Sequence, residues 1–243
     1  MAARTTVCPS RRRFICSSSA AVAGLAAPAT FGLDSVAYAN QLTKEQRDSL
    51  TPDEIIKLMM AGNERFATGV QKPRDFLTEQ QATAAGQYPA AVALTCVDSR
   101  VPVEVICDLG IGDTFNARIA GNVVNEDILG SMEFACKVSG AKLVVVMGHT
   151  ACGAIKGAID NVVLGNLTGL MTKIQPAVLE TKFQGDRASD NAEFVDLVAR
   201  TNVGMAIKQI REQSQVLTEL EKTGAIKIIG SMYDLGTARI TLT

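Results

Sequence analysis

From residue 40 onward the spacing of apolar positions switches repeatedly between short continuous runs and helical stripes. Ala90–Cys96 (AAVALTC) and Lys142–Gly148 (KLVVVMG) are runs of the first kind and read as buried strands, the second with three β-branched residues in a row. Thr114–Ile119 and Ala225–Met232 read as two more strands, and Ala238–Leu242 as an edge strand. Helical spacing covers Glu126–Ser139, Cys152–Leu164, Leu167–Phe183 and the long stretch Glu193–Thr223, while Val101–Leu109 reads as a short helix or turn. Thr51 is placed as an N-cap, with Pro52 at the first helical position and Glu54 completing a capping box, so a helix is predicted from there to about Gly69. Ahead of it, Leu42–Leu50 reads as a polar helical arm without a core of its own. Strands alternating with helices predict an α/β domain over residues 40–243. Its centre is a mainly parallel β-sheet of four strands plus an edge strand, flanked by helices and preceded by the helical arm.

Residues 1–39 follow a different pattern. They hold Arg4, Arg11, Arg12 and Arg13 against one acid, Asp34, and no charge occurs from Phe14 to Leu33. Ala37-Tyr38-Ala39 then supplies a signal-peptidase pattern, with Asn40 the first mature residue. Ser10-Arg11-Arg12-Arg13-Phe14-Ile15 resembles a twin-arginine export motif, with Cys16 where that motif often has Lys. Pro28 interrupts a weakly apolar stretch, which argues against a permanent membrane span. Export to a periplasm is the expectation. The same Arg- and Ser-rich, acid-poor composition also suits an organellar transit peptide leading to a thylakoid-lumen-like destination.

Composition narrows the chemistry. Hydrophobic residues make up 47% of the chain, enough for a full core, and a net charge of −1 gives no footing for nucleic-acid binding. There is one histidine, which excludes any centre or relay that needs two. Of six cysteines, four lie beyond residue 39: Cys96, Cys107, Cys136 and Cys152.

Three of the remaining candidates converge. Cys96-Val97-Asp98-Ser99-Arg100 follows one predicted strand, and His149-Thr150-Ala151-Cys152 follows another. Ligand sites of open parallel sheets form beyond the carboxyl ends of strands, so the two segments can meet. Two thiolates and an imidazole suit zinc, with the fourth position left to water. Cys152, at a predicted helix start, is expected to favour the thiolate.

C-x-D-S-R after one strand paired with H-x-x-C after another resembles the signature of the β-class carbonic anhydrases, and the resemblance runs from about Thr51 to Met232, through Gly121-Asn122 and the GHTACGAIKGAI segment. It implies one zinc per subunit held by Cys96, His149 and Cys152, and hydration of CO2 to bicarbonate and a proton by zinc-bound hydroxide. Asp98 and Arg100 would be the catalytic pair, a buried Arg holding the carboxylate, and Asp98 could instead ligate zinc in a closed state. Gln87 in Gly86-Gln87-Tyr88-Pro89 would donate to substrate in a neighbouring subunit. Phe115 and Ile119 would wall the substrate pocket, Phe134 stands where plant-type members often have Tyr, and the Gly153 N–H would contact the oxyanion. A homodimer or tetramer is implied. With no tryptophan in the chain, the Trp-containing bicarbonate inhibition site of some bacterial members cannot form.

Other activities stay open at this level: a COS or CS2 hydrolase on the same scaffold, or a non-catalytic zinc-stabilised binding protein. A thiol-redox protein is disfavoured because the chain has no C-x-x-C. Cys107 and Cys136 read first as buried thiols, with a disulfide between them as the alternative.

Overall fold

A computed structural model describes residues 41–243; the reading of residues 1–39 as an export signal lies outside the described residues. Five strands form one sheet in the order β2-β1-β3-β4-β5: β1 (Ala91–Thr95), β2 (Thr114–Arg118), β3 (Leu143–His149), β4 (Lys227–Tyr233) and β5 (Ile240–Leu242). The first four are parallel, and β5 runs antiparallel along β4. This is the expected sheet.

Every residue of β3 is buried, which accounts for its unbroken apolar run. Successive side chains point to opposite faces. Val144 and Val146 join a core with α5 (Glu126–Glu133), α6 (Gly153–Ile159), α7 (Gly165–Glu180), α8 (Ala192–Gln213) and α9 (Gln215–Lys222). Leu143, Val145 and Met147 join a smaller one with α2 (Pro52–Thr68) and α4 (Val103–Ile106). Cys136 belongs to the first core and Cys107 to the second, so the sheet separates them; both are free thiols.

The predicted capping box of α2 is present, with Thr51 N–H donating to Glu54 at 2.7 Å, and the helix ends at Gly69 in a left-handed conformation (φ 73°). The arm α1 (Lys44–Ser49) is better anchored than its polar sequence suggests. Arg47 is 4% exposed, lies over Gly140 and donates to the Ser139 carbonyl.

Three boundaries differ from the sequence reading. The long C-terminal helix breaks into α8 and α9 at Ser214, whose hydroxyl caps Leu217 N–H and donates to Glu133 at 2.6 Å. The helix after Cys152 ends at Ile159 because the chain turns through Asn161 at φ 54° before α7 begins. An unpredicted α3 (Phe76–Thr83) packs through a charged residue: buried Glu79 accepts from Arg74 and from the Ile111 N–H, each at 2.9 Å.

Candidate metal centre

Cys96 follows the last residue of β1, and His149 is the last residue of β3, the neighbouring strand. Cys152 is the N-cap of α6. All three are buried, and their ligand atoms lie within 4.8 Å of one another. The two sulfurs are 3.9 Å apart, far beyond a covalent S–S bond of about 2.05 Å. Two zinc–sulfur bonds of about 2.3 Å at a tetrahedral angle would hold sulfurs about 3.8 Å apart, so the pair is spaced for one shared cation.

The imidazole is set for the same task. His149 Nδ1 lies 2.9 Å from the Thr150 carbonyl, a contact that requires Nδ1 to carry its proton, while Nε2 is buried without a hydrogen-bond partner. A buried imidazole nitrogen that makes no regular hydrogen bond and lies beside two thiols is what a Cys2His zinc site needs.

Proton affinities within the cluster are strongly coupled. Cys96 is held well below the usual thiol range, chiefly because the Cys152 thiol donates to it, with His149 and the Gly121 N–H adding to the effect. Cys152 is pushed up by the same shared proton and then by burial. The two thiols thus compete for one shared proton, and the α6 backbone N–H groups at Cys152 do not override that hydrogen bond. A bound cation would remove that competition by favouring both thiolates.

Asp98 sits just beyond the cluster. Arg100 grips its carboxylate with both ends of the guanidinium, Nε to Oδ1 at 2.9 Å and Nη2 to Oδ2 at 2.7 Å, and the Arg100 N–H adds a third bond at 2.9 Å. Asp98 Oδ2 remains 3.9 Å from His149 Nε2. The carboxyl is held far below its usual range, first by the Arg100 side chain. Contrary to the sequence reading, this arginine is not buried: its side chain is 56% exposed, because the loop after β1 runs at the surface of the chain, with Val97 and Ser99 exposed beside it.

Next to Cys152, Gly153 is exposed and opens α6, with free space where a Cβ would stand. Phe115 and Phe134 meet edge to face, ring centres 6.2 Å apart, and line an open groove with Val92, Ala117 and Ile128. Ile119 packs half-buried on the larger core. Gln87 is exposed and precedes β1, at the end of that strand away from Cys96. A five-residue strand is about 16 Å long, so Gln87 is remote from the metal-ligand cluster of its own chain.

Three residues were not found by sequence reasoning. Arg118 on β2 donates through Nε to the Cys96 carbonyl at 3.1 Å and through Nη2 to the Asp98 carbonyl. Asp196 accepts from the Ala151 N–H at 3.0 Å, and Asn202 donates to the Gly121 carbonyl at 2.8 Å. Each acts on backbone across a long sequence separation, and no local motif marks such contacts.

A carbonic anhydrase family model matches residues 91–240, the span from the start of β1 to β5, and contains all three cluster residues. The chain belongs to the carbonic anhydrase family. It is 35% identical over 192 residues to carbonic anhydrase 2 of Mycobacterium tuberculosis, covering 76% of this chain and 90% of that one. Over 188 residues it is 31% identical to the carbonic anhydrase of Mycolicibacterium smegmatis, with the same coverage of 76% and 90%. Among solved structures, the β-carbonic anhydrase CafA of Aspergillus fumigatus superposes with a TM-score of 0.62 at 26% identity, over 78% of this chain and 90% of that one. A tetrameric β-carbonic anhydrase of Sordaria macrospora shares the fold with a TM-score of 0.61 at 24% identity, over 78% and 96%. These matches put this carbonic anhydrase in the β-class, the class whose paired motifs it carries.

Proposed function

We propose that this β-class carbonic anhydrase interconverts CO2 and bicarbonate at a zinc centre formed by Cys96, His149 and Cys152. One observation carries the reading: a buried Cys2His cluster with an orphan imidazole nitrogen lies beside a carboxylate held by its own arginine. A purely structural zinc site has four protein ligands and no use for such a pair.

Zinc bound there lowers the pKa of water to near neutrality and stabilises negative charge on oxygen. The chain's own residues supply the rest. The Thr150 carbonyl fixes the His149 ring so that Nε2 faces the sulfurs. Arg100 keeps Asp98 ionised, so that its carboxylate can accept a hydrogen bond from the O–H of the nucleophile and orient the oxygen lone pair at the CO2 carbon. In this arrangement Asp98 is engaged by Arg100, and its ligand role is reserved for a closed state. From the family resemblance, the Gly153 N–H is assigned to the oxygen that becomes negative, and Phe115, Ile119 and Phe134 to the apolar wall for CO2. No second histidine exists to carry the proton away. Tyr233 is a poor relay, since it is 4% exposed, packs in the opposite core and has its hydroxyl pushed up by burial. Turnover should therefore depend on buffer concentration.

The proposed assembly is a dimer or tetramer, in which Gln87 serves the site of a second copy. Its position across the sheet from its own cluster supports that assignment. Residues 1–39 are proposed to direct twin-arginine export, with cleavage after Ala39, from the motif and cleavage pattern of the sequence. Among the described residues no helix is long and apolar enough to cross a membrane.

Stopped-flow CO2 hydration with zinc stoichiometry on the same sample tests the function, and CS2 is run in parallel. The expected result is one zinc per chain and fast hydration of CO2. Zinc-loaded protein that hydrolyses CS2 or COS and leaves CO2 untouched would overturn it. For export, fractionation and N-terminal sequencing should find a mature chain starting at Asn40, whereas uncleaved cytoplasmic protein would refute the signal.

A further inference from the structure

Helix α8 covers the larger core with eight buried residues. Two of its polar side chains, however, reach backbone that holds the metal ligands. Asp196 Oδ1 accepts the Ala151 N–H at 3.0 Å. Ala151 lies between His149 and Cys152 in a left-handed conformation (φ 53°), unfavourable for a residue with a Cβ, so the turn needs an external hold. Six residues on, Asn202 is 4% exposed and donates to the Gly121 carbonyl at 2.8 Å. Gly121 is also left-handed (φ 66°), and its N–H donates to Cys96 Sγ at 3.4 Å. A Cβ there would come within 2.6 Å of Ile174, so the position is shaped for glycine.

We propose that Asp196 and Asn202 are positioning residues for the metal centre: α8 fixes the Ala151 turn that leads into Cys152 and, through the Gly121 carbonyl, the residue whose N–H reaches the Cys96 sulfur. Neither residue touches a ligand side chain. By holding Gly121 from its carbonyl side, Asn202 fixes the residue whose N–H donates to the Cys96 sulfur, and so influences how much charge that sulfur gives to a cation. Asp196 holds the turn that sets Cys152 at 3.9 Å from Cys96. Partners of this kind are worth about ten- to a hundredfold in metal affinity.

This inference rests on the zinc reading above. The test compares wild type, Asp196→Ala, Asp196→Asn, Asn202→Leu and, as a packing control on the same helix, buried Val198→Ala. Zinc affinity is measured by chelator competition, and the sulfur-to-metal charge-transfer band is recorded after cobalt(II) substitution. Asp196→Ala and Asn202→Leu should each weaken zinc about tenfold or more, and Asn202→Leu should also shift the band. Asp196→Asn, which keeps an acceptor oxygen, should restore affinity to near wild type. Val198→Ala should lower thermal stability while leaving affinity and band in place. Affinities within twofold of wild type in Asp196→Ala and Asn202→Leu, or equal losses in Val198→Ala, would overturn the proposal. A wild-type chain that binds no zinc would instead overturn the metal reading itself.

Discussion

Arg118 reaches across from β2 to hold the carbonyl of Cys96 at 3.1 Å, and the same guanidinium bonds the Asp98 carbonyl. One side chain on an edge strand thus sets the course of the loop that carries both Cys96 and Asp98, the carboxylate proposed to act in catalysis. Arg118→Ala should lower kcat/KM for CO2 about tenfold or more, and Arg118→Lys should recover part of it, because an ammonium can satisfy one carbonyl but does not span two in a fixed fork. Steady-state hydration rates of the two variants check this.

The cluster residues should behave as a unit. His149→Ala, Cys96→Ser and Cys152→Ser should each lose bound zinc and reduce hydration by about a thousandfold or more, since the three ligand atoms already account for every protein position of an open catalytic site. Metal analysis of the purified variants should show well under one zinc per chain.

Cys107 and Cys136 should resist thiol reagents in the folded protein. Burial pushes both thiols up to about 12, so neither is a thiolate near neutrality. Both should react once the chain is unfolded without reductant, because the sheet keeps them apart and no disulfide joins them. A mass consistent with a Cys107–Cys136 bridge would contradict this.

Acid should weaken the clamp between α8 and α9. Arg211 binds the Glu221 carboxylate twice at 2.8 Å and holds it below its ordinary 4.5. A carboxyl depressed on folding contributes stability that is complete above its unfolded value and is lost as pH falls through the folded one. Glu221→Gln should cost about 1 kcal/mol or less near neutrality, as the pair is partly exposed, and the cost should shrink as pH falls below 4.5. Thermal melts from pH 7 to 3 give the comparison.

The sheet and the ligands were readable because their signals are local. The valine run of β3 has one plausible fate, and Cys96, His149 and Cys152 are tied to strand ends and a helix start by adjacent residues. The α8–α9 break was hidden because Ser214 sits in an otherwise helical sequence and its stabilising partner, Glu133, is 81 residues away. Helix α3 was hidden for a related reason: its one buried residue is the charged Glu79, so no apolar stripe announces it. Arg118, Asp196 and Asn202 act on peptide groups, and a peptide group leaves no trace in the identity of the residue that owns it.

The short distance between Cys96 and Cys152 has a further side. The sulfurs need to close by only about 2 Å to reach bonding distance, whereas Cys107 and Cys136 are walled off from each other. The residues that grip the cation are thus the ones an oxidant would couple first if it arrived before the cation did. Under the export proposed for residues 1–39, loading order would become a matter of survival: a cation seated early is a guard on the thiols as well as a reagent.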